Sequence, residues 1–260
     1  MKTAELPTKL FITVTYLVMV ATNYLANALP LNGIETGEVS DSYPNLFAPA
    51  GITFSIWGVI YLLLAVHILY QWGLFHDANS RRGELLNRIG MLFGISSLAN
   101  TAWVFAWHYD QILISTLLII AILVLLSMIV GTLRDAGLDR REYWFIRLPF
   151  SVYLGWITVA TVANITTWLV SIGFDGFGIA ESIWAMVIIA VAAAIGMFKM
   201  LRNRDIAYGV VLIWAYIGIF IKHTSADGWA GRFPEVITTI VVCLVAFLIA
   251  EFLVWRRKTA

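Results

Sequence analysis

Apolar stretches separated by short polar or charged segments run the whole length of the chain. Eight windows of about 17 to 25 mostly apolar residues, near 9–29, 51–72, 86–107, 111–132, 147–171, 180–200, 206–222 and 235–255, predict helices long enough to cross a bilayer. They lack the short alternating pattern of barrel strands. The pattern therefore predicts an all-α integral membrane protein, a helical bundle of about eight transmembrane helices.

The polar positions inside these windows fall into stripes. In the fifth, Tyr153, Trp156, Ala160 and Asn164 stand at i, i+3, i+7 and i+11, which is one helix face at roughly 100° per residue. An amide and two rings with polar tips at that depth should face protein or ligand, because lipid cannot satisfy them. Two readings stay open here: interhelical glue or the wall of a pocket. In the first window Tyr16, Asn23 and Asn27 form a similar stripe, which an ordinary signal core lacks. The segment therefore reads as a span, despite Lys2, Lys9 and the small residues Ala26 and Ala28. In the third, Asn100, Trp103 and Trp107 share one face, while Gly90, Gly94, Ser97 and Thr101 share another, a small-residue stripe that admits a close neighbour. Ala190, Ala194 and Gly196 suggest a second such surface on the sixth. His67 reads as a hydrogen-bonded structural residue. Lys222 ends its span without a buried acidic counter-ion, which argues against a retinal Schiff base.

Composition sharpens this picture. Of 260 residues, 60% are hydrophobic and 13% charged, outside the range of soluble domains. The net charge of +1 and the lack of a basic patch speak against a nucleic-acid partner. Of seventeen Lys and Arg, fifteen fall at the N-terminus, in the 2–3, 4–5 and 6–7 loops or at the C-terminus; only Lys222 and Arg232 lie on the other side. The positive-inside rule then predicts that both termini are cytoplasmic. The longest external loop, Pro30 to Ala50, has Glu35, Glu38 and Asp41 and no Lys or Arg, and its prolines, glycines and asparagines predict turns instead of helix. Neither a metal-ligand cluster nor a nucleophile–base pair stands out, so no catalytic or metal residue is assigned and no covalent cofactor is expected. The single cysteine, Cys243, cannot form an internal disulfide.

Three segments, in order, carry a family pattern. Pro49, Trp57 and Tyr61 have the spacing P-x7-W-x3-Y; Asn100 and Trp103 form N-x-x-W; Tyr153, Trp156, Ala160 and Asn164 form Y-x-x-W-x3-A-x3-N after Pro149. The chain resembles the tryptophan-rich sensory protein, or translocator protein (TspO/MBR), family over roughly residues 9 to 171. It departs from the family in having a single proline before Trp57, Pro149 separated from Tyr153, no tryptophan in the fourth span, and about three further spans.

The resemblance implies a TspO-like five-helix bundle over 1–172, followed by three additional transmembrane helices over 173–260. It implies a ligand-binding pocket beneath the first external loop, formed by Trp57, Tyr61, Asn100, Trp103, Tyr153, Trp156, Ala160 and Asn164. The implied ligand is a hydrophobic small molecule, a porphyrin, haem or a sterol-like compound, and the implied assembly is a homodimer through Gly90 and Gly94. The expected location is the lipid bilayer of a bacterial cytoplasmic (inner) membrane. The leading functional reading is a binding or sensory protein, more than an enzyme. A permease or transporter subunit and a light-dependent porphyrin-modifying protein are the alternatives.

Overall fold

The computed structural model describes residues 3–29, 31–75 and 82–259. Lys2, Pro30 and Arg81 lie outside the described residues, as do the side chains of Arg257 and Lys258. Among the described residues, eight helices are long and apolar enough to cross a membrane: α1 (Leu6–Ala28), α2 (Gly51–Gln71, opening with a 3-10 turn), α3 (Gly83–His108), α4 (Ile112–Arg134), α5 (Arg140–Ser171), α6 (Glu181–Asn203), α7 (Ile206–Thr224) and α8 (Pro234–Thr259). The chain is an all-α integral membrane protein. In α4 the few polar side chains are satisfied locally: Ser115 and Thr116 donate to the Ile112 carbonyl and Ser127 to that of Leu123. That is how a hydroxyl is tolerated where water is absent.

The chain divides into two compact units, Met1–Thr36 with Trp57–Leu154, and Gly37–Ile56 with Gly155–Ala260. In the first unit, α3 packs against α1 and α4. At Gly90 and Gly94, side chains of α1 fill the space that a side chain on α3 would take. A Cβ on Gly90 would lie 2.7 Å from the Thr8 methyl, and one on Gly94 would run into the ring of Phe11. This corrects the expected dimer face: the small-residue stripe is buried within the chain and is not open to a second copy. α5 begins with a capping box, in which Asp139 accepts from the Glu142 amide and Glu142 from that of Asp139. Arg82 grips Glu142 with two bonds of 2.9 Å and donates to the carbonyls of Ala136 and Gly137 at 2.8 Å. The hydrogen bond to Glu142 holds the guanidinium above its already high ordinary value.

A π-helical turn, Tyr143–Arg147, follows. Its Phe145 carbonyl accepts from His67 Nδ1 at 2.9 Å, which fixes the tautomer, and His67 Nε2 then accepts from Gln71 Nε2 at 2.8 Å. His67 is thus the bonded structural residue its position suggested.

In the second unit α8 packs on α6 and α7. Gly196 receives the side chain of Leu212, and Gly155 sits against Val211 and the Tyr208 carbonyl. The buried row of α6 is Ala185, Ile189, Ala193, Gly196 and Met200. Ala190 and Ala194, expected to pack, lie on its exposed side, one residue round the helix from Ile189 and Ala193. Asp205 caps α7 by accepting from the Tyr208 amide at 3.2 Å.

The segment joining α1 and α2 is more ordered than its composition predicts. It contains a helix of six residues, Thr36–Asp41. Thr36, at its start, accepts from Trp107 Nε1 at 3.1 Å and contacts His108 Nε2 at 3.3 Å. These anchors, together with Glu38 in the first turn, override the weak propensity of a glycine-containing segment. Further on, Asn45 accepts from the amides of Phe47 and Ala48, the Leu46 carbonyl accepts from His223 Nε2 at 2.9 Å, and Lys222 pairs with Asp41 at 2.8 Å.

Candidate ligand-binding site

The polar stripe of α1 meets that of α3. Asn23 Nδ2 donates to Asn100 Oδ1 at 2.8 Å, and Asn100 Nδ2 donates to the Tyr153 hydroxyl at 3.1 Å. All three residues are buried. This relay ties α1, α3 and α5 together by side chains alone. Tyr16 adds a bond from its hydroxyl to the Tyr61 carbonyl at 2.8 Å.

Beside the relay lies a cluster of rings. Trp57 stacks on Tyr61 with centroids 5.5 Å apart, meets Tyr153 edge-on at 5.9 Å and leans on Trp103 at 6.5 Å. Trp103 continues into Trp107, stacked at 5.7 Å. Trp57 and Tyr61 are only half-buried, whereas Tyr153 and Trp103 are buried. The Tyr61 hydroxyl oxygen is itself buried and has no hydrogen-bond partner among the described residues. The first unit thus brings together five of the eight predicted site residues: Trp57, Tyr61, Asn100, Trp103 and Tyr153.

The other three, Trp156, Ala160 and Asn164, belong to the second unit. Trp156 and Asn164 are buried and Ala160 is half-buried. Phe54 meets Trp156 edge-on at 5.7 Å. Sequence reading missed what else this unit holds. A cavity of about 830 Å³ is lined by Leu46 and Phe47 of the loop, Val162, Ile165 and Thr166 of α5, and Trp184, Ile188 and Val191 of α6. Its volume is in the range of small-molecule sites. None of the eight predicted residues lines it. The signal was present on α6 only as an apolar run, and an apolar run at a membrane depth reads equally well as lipid contact. Among the described residues no group of His, Cys, Asp and Glu is arranged to hold a metal ion.

With this geometry in view, the family comparison is decisive. A family model described as TSPO-like protein matches residues 9–258. The chain belongs to the TSPO-like protein family. Its match runs through α6, α7 and most of α8, well beyond the five spans that carry the sequence motifs. Comparison with curated proteins and with solved structures gives no match. In this TSPO-like chain Trp57, Tyr61, Asn100, Trp103 and Tyr153, which the first unit brings together, fall on the motif positions of α2, α3 and α5.

Proposed function

We propose that this TSPO-like protein binds a hydrophobic, flat ligand of the tetrapyrrole class at its aromatic stripes and acts as a membrane sensor for it. The observation that carries the reading is the Tyr61 hydroxyl: buried, unpartnered among the described residues, and set in a cluster of four rings. A buried polar group without a partner is costly and calls for an explanation. A ligand edge with an acceptor satisfies it, while the half-buried faces of Trp57 and Tyr61 offer stacking area. In this reading residues 1–172 carry the ligand-binding part and residues 173–260 support it. Both termini face the cytoplasm of a bacterial inner membrane, by the segregation of Lys and Arg.

The test is a titration of the purified protein with protoporphyrin, followed by quenching of tryptophan fluorescence. Tyr61→Phe loses a donor to ligand but no bond within the protein. Binding should weaken by about five- to ten-fold, the worth of one hydrogen bond, with thermal stability unchanged or slightly raised. Equal affinity of Tyr61→Phe and parent would remove the ground for the reading.

A further inference from the structure

A second concavity lies at the arginine-rich end of the first unit. Between α2 and the start of α5 runs a shallow groove of about 600 Å³, walled by Leu63, Val66, Trp144 and Leu148 and rimmed by Arg140 and Arg141. Three features of the rim stand out. Arg140 and Arg141 are exposed and make no hydrogen bond or ion pair among the described residues, whereas Arg82 is fully engaged by Glu142 and two carbonyls. No acidic residue lines the groove. The nearest acids, Asp139 and Glu142, are committed to the capping box and to Arg82. Cations in the opening turn of a helix also gain nothing from its dipole, so helix stability does not explain the pair.

The wall has the matching polarity. Trp144 is 54% exposed, while Glu142 and Ile146 on the opposite side are buried. An exposed indole beside arginines at the end of a span is the arrangement of a membrane interface. The π-helical turn Tyr143–Arg147 fixes this surface: the Phe145 ring is stacked between Tyr70 at 5.5 Å and Phe75 at 5.1 Å, and its carbonyl is held by His67. The floor is therefore rigid and its charge is unbalanced.

We propose that this groove is a selective site for an anionic phospholipid of the bilayer, with the headgroup phosphate between Arg140 and Arg141 and an acyl chain along Leu63, Val66 and Leu148. Arginine forks suit phosphate oxygens, and basic pockets between helices at this end of a membrane protein draw anionic headgroups. The site shares no residue with the aromatic cluster proposed for the tetrapyrrole.

The test uses the full chain in phosphatidylcholine vesicles containing a small fraction of lipid brominated on its acyl chains, either phosphatidylglycerol or phosphatidylcholine. The readout is the quenching that Trp144→Phe abolishes, which isolates this indole from the other ten. Brominated phosphatidylglycerol should quench Trp144 more strongly, with an enrichment of roughly five-fold per arginine that falls as salt is added. R140Q/R141Q should lose the preference, R140K/R141K should keep part of it, and Arg202→Gln with Arg204→Gln should leave it intact. Inorganic phosphate at millimolar concentration should not displace the lipid. Equal quenching by the two lipids, a preference surviving R140Q/R141Q, or displacement by free phosphate would each overturn the proposal. The salt dependence of the parent alone decides the matter if the glutamine variant does not insert.

Discussion

The two units share one kind of bond and differ in emphasis: both send side-chain donors to backbone carbonyls, in the first from Tyr16, His67 and Trp107, but the first is centred on a relay between side chains. In the first, side chain meets side chain at mid-helix: Asn23, Asn100 and Tyr153 form a buried relay, and the rings of Trp57, Tyr61 and Trp103 pack beside it. In the second, ring and hydroxyl donors reach backbone carbonyls. His223 bonds to Leu46, Trp214 to Thr53, and Tyr216 to Ile189, over sequence separations of 177, 161 and 27 residues. The first arrangement needs particular residue types on two or more helix faces. The second needs a particular type at one end only, since every residue offers a carbonyl.

That contrast can be broken at several points. The largest effect is expected at Gly94, where the Phe11 ring of α1 lies against α3. Gly94→Leu drives a side chain into Phe11 and should cost about 3 kcal/mol, at the upper end of overpacking, with α1 displaced in hydrogen exchange. Its oligomeric state on detergent sizing should be that of the parent, because this face is internal. Asn100→Leu comes next. It removes two side-chain bonds from the relay, each worth about 1 kcal/mol within a membrane bundle, and leaves the Asn23 amide with its bond to the Met19 carbonyl but not the one across to α3. A loss of about 2 kcal/mol in thermal or denaturant unfolding is expected.

In the second unit Trp214→Phe keeps the ring and loses one bond to the Thr53 carbonyl, for about 1 kcal/mol, seen as faster exchange at residues 50–55. Smallest is Lys222→Ala. Its partner Asp41 is 59% exposed, so the pair should contribute less than about 0.5 kcal/mol to unfolding. A larger loss at Lys222 than at Trp214 would mean that charge, and not the backbone bonds, holds the loop.

The same contrast explains what could be read from sequence. All eight spans were legible, because bilayer thickness sets the length of an apolar run. So was the cluster of the first unit, because Asn100, Trp103 and Tyr153 recur at helical spacing on motif positions. The partner of Asn100 was half-legible: Asn23 stood in a stripe, but nothing in the pattern said which helix it faced. The anchors of the second unit were not legible, since the acceptors at Leu46, Thr53 and Ile189 are backbone atoms of apolar or small residues. The glycines misled for a related reason. A small-residue stripe shows that something comes close, and here Phe11 and Thr8 of the same chain do so, not a second copy. On α6 the choice of Ala190 and Ala194 missed the buried row by one residue, because alanine fits either face of a membrane helix.

The central claim is that the ligand is held by the aromatic cluster of the first unit and not by the cavity of the second. One paired titration tests it most directly. Trp57→Leu removes the ring that touches Tyr61, Trp103 and Tyr153, and Val191→Trp fills the cavity on α6. Protoporphyrin affinity is measured for both by absorbance, with folding checked by circular dichroism. The account predicts binding weaker by about five-fold or more in Trp57→Leu, the worth of one lost stack, and parent-like affinity in Val191→Trp. Parent-like affinity in Trp57→Leu together with a loss in Val191→Trp would contradict it and move the site to α6.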